Sequence, residues 1–172
     1  MSSNSKMFPV VITVMFIIII IYLFATVEQP LVVCEKTFIS DIGVEVVEVV
    51  ETTLDGRKIK NMVVYKNINL PDKYLNNGES ESVIFLLDKA YDYLDDDSIL
   101  ISKSRNKITL KIDVSNDETI ILGNIDFFDN GGLQLKVNSN TKSSDVLTLK
   151  VGDNYTEGEF MTRLKNNGYS CK

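Results

Sequence analysis

Few side chains in this 172-residue chain are equipped for chemistry, and the two cysteines stand apart from the rest. Cys34 opens the polar part of the sequence and Cys171 is its penultimate residue, so a bond between them would close nearly everything after residue 34 into one loop. In an oxidising compartment the even cysteine count favours that bridge, and in the chain-entropy description a loop of this length contributes about 4 to 5 kcal/mol. The pair lacks the C-x-x-C spacing and has no His or Arg beside it, so the bridge would be structural rather than redox-active. In a reducing compartment the same residues would be two unpaired thiols.

There is no histidine and no tryptophan. The Ser-His-Asp and Cys-His arrangements are thereby removed, together with the commonest zinc ligand and the usual general base near neutral pH. A carboxylate-based enzyme would have to draw on Glu45, Glu48, Asp95 or Asp97. Strand and helix patterning accounts for all four as solvent-facing. Asp95-Asp96-Asp97 lacks the alternating oxygens and central glycine of a calcium loop and reads as a solvated turn; Asp126, Asp129, Asn130 and Gly131-Gly132 read as a loop. Asn154-Tyr155-Thr156 has the form of a glycosylation acceptor, but Thr156 is better used as a helix cap. No catalytic, cofactor-binding or metal-ligating set emerges.

The elements that would carry these residues follow from hydrophobic period. Lys36 to Thr53, with Val44, Val46, Val47, Val49 and Val50 among Glu45, Glu48 and Glu51, predicts one long strand bent near Gly43. Asp55-Gly56 supplies a hairpin turn and Arg57 to Leu70 the returning strand. After Pro71, Ser80 or Ser82 caps a helix whose Val83, Leu86, Leu87, Ala90, Tyr91 and Leu94 form an apolar stripe running to Asp95. Ile99 to Ser102 and Lys107 to Val114 predict a further strand pair; Leu133 to Val137 and Val146 to Val151 predict two more strands, while Ile120 to Phe128 is ambiguous. Thr156-Glu157-Gly158-Glu159 is a capping box that starts a short helix bearing Phe160 and Leu164, with Gly168 suited to its end.

Ahead of all this, Phe8 to Val27 is an apolar run of twenty residues without a charge. At about 1.5 Å per residue it spans about 30 Å, the hydrocarbon thickness of a bilayer. The run is too long for a typical signal core and has no A-x-A site behind it. Cys34 follows Leu31-Val32-Val33, which is no lipoprotein processing site. An uncleaved single-span anchor is therefore expected, with a cleaved signal as the alternative. Lys6 precedes the run, while Glu28 and Glu35 outnumber Lys36 after it, which places the N-terminus inside and the remainder outside. The expected organisation is a short cytoplasmic tail (1–7), a transmembrane helix (8–27), a juxtamembrane linker (28–35) and an extracytoplasmic α+β domain (36–172). In that domain an antiparallel β-sheet is covered by one long helix and one short C-terminal helix.

The formal net charge is −6. Lys6 is the only charged side chain before Glu28, so the segment beyond is one unit more acidic still. Such a surface repels nucleic acid. A cysteine opening the domain, charged and β-branched strands, a helix, more strands and a terminal Leu164-Lys165-Asn166-Asn167-Gly168-Tyr169 together resemble the YehR-like family of small bacterial lipoproteins and membrane-anchored relatives. That resemblance implies an α+β domain on the outer face of a bacterial membrane and supplies no catalytic residues. The functional expectation is a non-enzymatic, membrane-tethered domain that binds a protein or a cell-envelope component and uses no cofactor; the alternatives are a small carboxylate-dependent enzyme or a structural subunit of a membrane complex.

Overall fold

Strict alternation decides the longest strands. Between Glu45 and Leu54 every second residue, Val46, Glu48, Val50, Thr52 and Leu54, is buried and those between are half-exposed. On the returning strand Met62, Val64, Lys66 and Ile68 alternate in the same way, and buried Ile59 stands three residues before Met62, across a break in the pattern. This period of two is what a pleated strand needs when one of its faces lies in a core. The computed structural model describes residues 31–75, 78–94, 96–115, 117–123, 125–137 and 146–172. Within them run β1 (Leu31–Ile39), β2 (Glu45–Asp55), β3 (Lys58–Asn69), α1 (Glu79–Ala90), β4 (Ile99–Ser104), β5 (Lys107–Val114), β6 (Thr119–Leu122), β7 (Ile125–Asp129), β8 (Leu133–Val137), β9 (Leu147–Lys150), α2 (Glu157–Lys165) and β10 (Ser170–Cys171).

Six of the strands form one antiparallel sheet in the order β10-β1-β2-β3-β5-β4, while β6 pairs with β9 and β7 with β8 as separate two-stranded ribbons. The β2–β3 hairpin turns at Asp55–Gly56 as its sequence predicts, with an irregularity between Thr53 and Leu54 that shifts the register by one. The chain after β9 then zips onto the hairpin tip, where Tyr155 N–H donates to Arg57 O at 2.7 Å and Gly152 N–H to Ile59 O at 3.0 Å.

One face of the large sheet is buried. Over it lie α1, which packs against β5 and β8, α2, which packs against β1 and β10, and the two ribbons. These contribute Val83, Leu87, Ile120, Leu122, Phe127, Leu149, Phe160 and Leu164 to a core that also holds the inner residues of β2, β3 and β5. Among the described residues the other face stays open: Val47 and Val49 on β2 and Val63 and Tyr65 on β3 are only half-buried, although they sit in the middle of the sheet.

Several expectations are corrected. The fold is predominantly β, not an α+β sheet covered chiefly by helices, because the stretch read as ambiguous, Ile120 to Phe128, supplies strands to both ribbons, and these share the covering of the core. The single bent strand from Lys36 to Thr53 is two strands. Gly43, at φ +83°, lets the chain reverse between them, with its N–H on Ser40 O at 2.9 Å and Val44 N–H on Ser40 Oγ at 3.0 Å. The sheet also begins at Leu31, inside the stretch 28–35 read as a linker. Helix α1 stops at Ala90 rather than Asp95, and neither Ser80 nor Ser82 caps it; its N-cap is Gly78, with no side-chain hydrogen bond. No helix among the described residues is long and apolar enough to cross a membrane, and the expected transmembrane helix at 8–27 lies outside them.

Candidate functional site

Glu48 is in phase with Val46 and Val50 on the buried face of β2, and Lys66 is in phase with Val64 and Ile68 on the buried face of β3. The ladder pairs Glu48 with Lys66, and on the other side pairs Lys36 of β1 with Glu48, so a Lys-Glu-Lys rung crosses three strands. The side chains of Glu48 and Lys66 are 0% exposed. Burial at this depth requires each charge to be matched and each lone pair to be used.

The Lys66 Nζ donates to Glu48 Oε2. Oε1 accepts from the hydroxyl of Tyr169 and from the N–H of Gly123, the latter at 3.0 Å. The Gly123 N–H also lies 3.4 Å from Oε2. Lys66 Nζ is 5.9 Å from the centre of the Tyr91 ring, and Lys36 Nζ is 5.6 Å from that of Tyr169. Loss of hydration pulls the Lys66 amine down to about 7. Burial, aided by neighbouring Tyr91, pushes the Tyr169 phenol above its ordinary value, which keeps it a proton donor to Glu48.

Each partner arrives by a local device. Tyr169 is set down by the end of α2, where the N–H groups of Gly168 and Tyr169 turn back onto Lys165 O and Leu164 O. Gly168 takes φ +85° there, in the left-handed position that glycine fills without a Cβ penalty. The start of the same helix is fixed by the predicted capping box, with Thr156 Oγ1 accepting from Glu159 N–H at 3.2 Å and Glu159 Oε2 accepting from Thr156 N–H at 2.8 Å. Gly123 lies in the bend between β6 and β7, and Tyr91 follows the last turn of α1.

Two residues beyond Tyr169, Cys171 stands directly opposite Cys34 in the β1–β10 register, and the structure joins the two in a disulfide with a Cα–Cα distance of 4.0 Å. Cys34 is fully buried. Beside them Lys172 N–H donates to Val33 O at 2.9 Å. The C-terminal strand is thus tied to β1 by one covalent bond and a short ladder.

The other nominated carboxylates do not converge on Glu48. Glu45 is on the open face and accepts from Asn69 Nδ2 at 2.7 Å; Asp97 is exposed in the 3-10 turn Asp96–Ser98, and Asp95 lies outside the described residues. Asp126 accepts from Phe127 N–H at 2.9 Å, while Asp129 accepts from Tyr74 at 2.7 Å and from Gly132 N–H at 3.2 Å, which uses it to shape the β7–β8 turn. No group of three or more metal-ligating side chains occurs among the described residues. An open groove of about 790 Å³ runs between α1 and the β7–β8 turn, past Glu79, Ser82, Phe85 and Gly132. No protein-family model, curated protein or solved structure matches this chain.

Glu48 was expected to face solvent; it faces the core. The signal for Glu48 lay in phase, since strict alternation from Val46 and Val50 carries it inward; counting back through the Asp55–Gly56 turn alone would put Tyr65 opposite it, and the irregularity between Thr53 and Leu54 moves the partner to Lys66. Tyr169 and Gly123 are far away in sequence, and no local pattern marks them as partners of Glu48.

Proposed function

We propose that this chain is a non-catalytic domain held at a membrane by the uncharged run Phe8 to Val27, on its outer side, and that it binds a protein or cell-envelope component through the open face of the six-stranded sheet. The observation that carries this reading is the half-buried cluster Val47, Val49, Val63 and Tyr65 at the centre of that face. Central strands of a sheet this size usually have their apolar side chains covered, and an uncovered cluster marks an interaction surface. One rung across the face, Glu35–Val49–Tyr65–Lys111–Leu100, leads from the cluster to a Leu100 that is 62% exposed at the edge strand. Glu35, Glu45 and Glu51 border the apolar centre on β1 and β2 and Lys111 borders it on β5, so a partner with an apolar middle and a basic rim on the β1–β2 side is the best complement.

A disulfide between Cys34 and Cys171 suits an oxidising, extracytoplasmic setting. Catalysis gains no support from Glu48, which is the carboxylate most removed from ordinary surroundings, because both its oxygens are engaged and its side chain is out of reach of a substrate. The test is photo-crosslinking in native membranes, with the crosslinking residue placed at Val49 or Tyr65 and, as a control, at exposed Asp88 of α1. A discrete adduct is expected from the sheet positions and not from Asp88. Folded protein that gives no adduct from either sheet position would refute the reading.

A further inference from the structure

We propose that Glu48 and Lys66 condense spontaneously into an intramolecular amide that staples β2 to β3. The two groups are direct ladder partners, both wholly buried, with the amine against Oε2 and two donors already on Oε1. An acyl substitution needs a nucleophile beside the carboxyl group, one oxygen held by hydrogen bonds and the other able to leave; here Nζ lies against Oε2, one bond from Cδ, and the Tyr169 hydroxyl and the Gly123 N–H hold Oε1.

The step balances without a co-reactant. A proton passes from the ammonium to the carboxylate within the pair, leaving a neutral amine and a neutral acid. The lone pair of Lys66 Nζ attacks Glu48 Cδ and the carbonyl electrons move onto Oε1, where the Tyr169 hydroxyl and the Gly123 N–H stabilise the developing charge. The Cδ–Oε2 bond then breaks. Oε2 departs with the acid proton and one proton from Nζ as water, and the Cδ–Nζ amide remains. No atom changes oxidation state.

In water an amine and an acid do not condense, because both prefer their charged forms and must first meet. Here burial disfavours both charges, and the lowered basicity of Lys66 makes its neutral form accessible. The encounter entropy is already lost through folding, the condition under which intramolecular reactions reach very high effective molarities. The product also suits the site better than the reactants do. It replaces two desolvated charges by one neutral group whose carbonyl keeps the bonds from Tyr169 and Gly123. Tyr169 and Gly123, which satisfy the buried carboxylate, would also hold the oxyanion, and the reaction does not depend on what the open sheet face binds.

The experiment is a tryptic map of the full chain extracted from membranes and reduced to open the disulfide. The amide predicts a branched species in which the peptide 37–57 is joined to the peptide 61–73, lighter than their sum by one water and uncut after Lys66. Separate peptides 37–57, 61–66 and 67–73, with Lys66 open to acylation, would overturn the proposal. A Lys66→Arg chain, if it folds, gives no branch. Tyr169→Phe removes a donor to Oε1, and the branch should then form roughly a hundredfold more slowly after synthesis. An unchanged rate would overturn the role given to Tyr169.

Discussion

Replacing Cys34 and Cys171 together by serine removes a bond that spans 137 positions of sequence. Applied to a loop of that length, the chain-entropy relation assigns the bond about 5 kcal/mol, through the freedom it takes from the unfolded chain. A domain of this size has a total stability of only about 5 to 15 kcal/mol, so the double variant should be marginal. With a urea dependence of about 2 kcal/mol per molar, the midpoint should fall by about 2.5 M. The chain has no tryptophan, so far-UV circular dichroism of the full chain is the suitable readout. The loss should fall first on β10, which is held by two register pairs and by the Lys172 bond to Val33, and so should expose Tyr169 before the central strands open. A midpoint shift below about 0.5 M, with the transition still cooperative, would refute the reasoning. It would mean that the unfolded chain gains little freedom when the loop is opened.

Three further outcomes are expected. Glu48→Leu or Lys66→Leu alone strands the other charge in the core, and each single variant should be about 3 to 5 kcal/mol less stable in urea unfolding than the variant with both changes, in which neither charge remains. Thr156→Ala should cost about 1 kcal/mol by removing the cap of α2. In the unaltered chain the Thr156 backbone N–H and hydroxyl hold the Glu159 carboxyl below its ordinary value, so its contribution is present above that value and is lost as acid protonates it at lower pH; NMR titration should show this depression shrinking in Thr156→Ala. Gly168→Ala must place a side chain at φ +85° and within 3.6 Å of the Lys36 chain, and thermal melting should show a loss of about 1 kcal/mol.

What the sequence made legible was whatever depended on neighbours along the chain. The Asp55–Gly56 hairpin, the alternation of Ile108, Leu110 and Ile112, and the Thr156–Glu159 capping box are all local, and all are present. The arrangement of strands into three sheets was not legible, since the partners of β6 and β9 are set by which surfaces remain to be covered after the large sheet forms. Helix α1 was read too long because Tyr91 and Leu94 keep a helical spacing, yet they are buried from the turn that follows it. For the buried rung the obstacle was one of priors. Glutamate and lysine usually face water, and their identity outweighed a strand phase that placed both of them inside.

The short ladder at Lys172 gives the molecule an unusual mechanical property. Lys172 lies against Val33, next to the disulfide and near the start of the first strand. A pull between the C-terminus and a tether preceding Leu31 would run from β10 straight across the sulfur–sulfur bond into β1, and the 136 residues between the cysteines would carry none of it. Under stretching in an atomic-force or optical-trap instrument the oxidised domain should lengthen hardly at all, whereas the reduced one should peel from β10 inward. A group joined after Lys172 would likewise sit beside the start of β1.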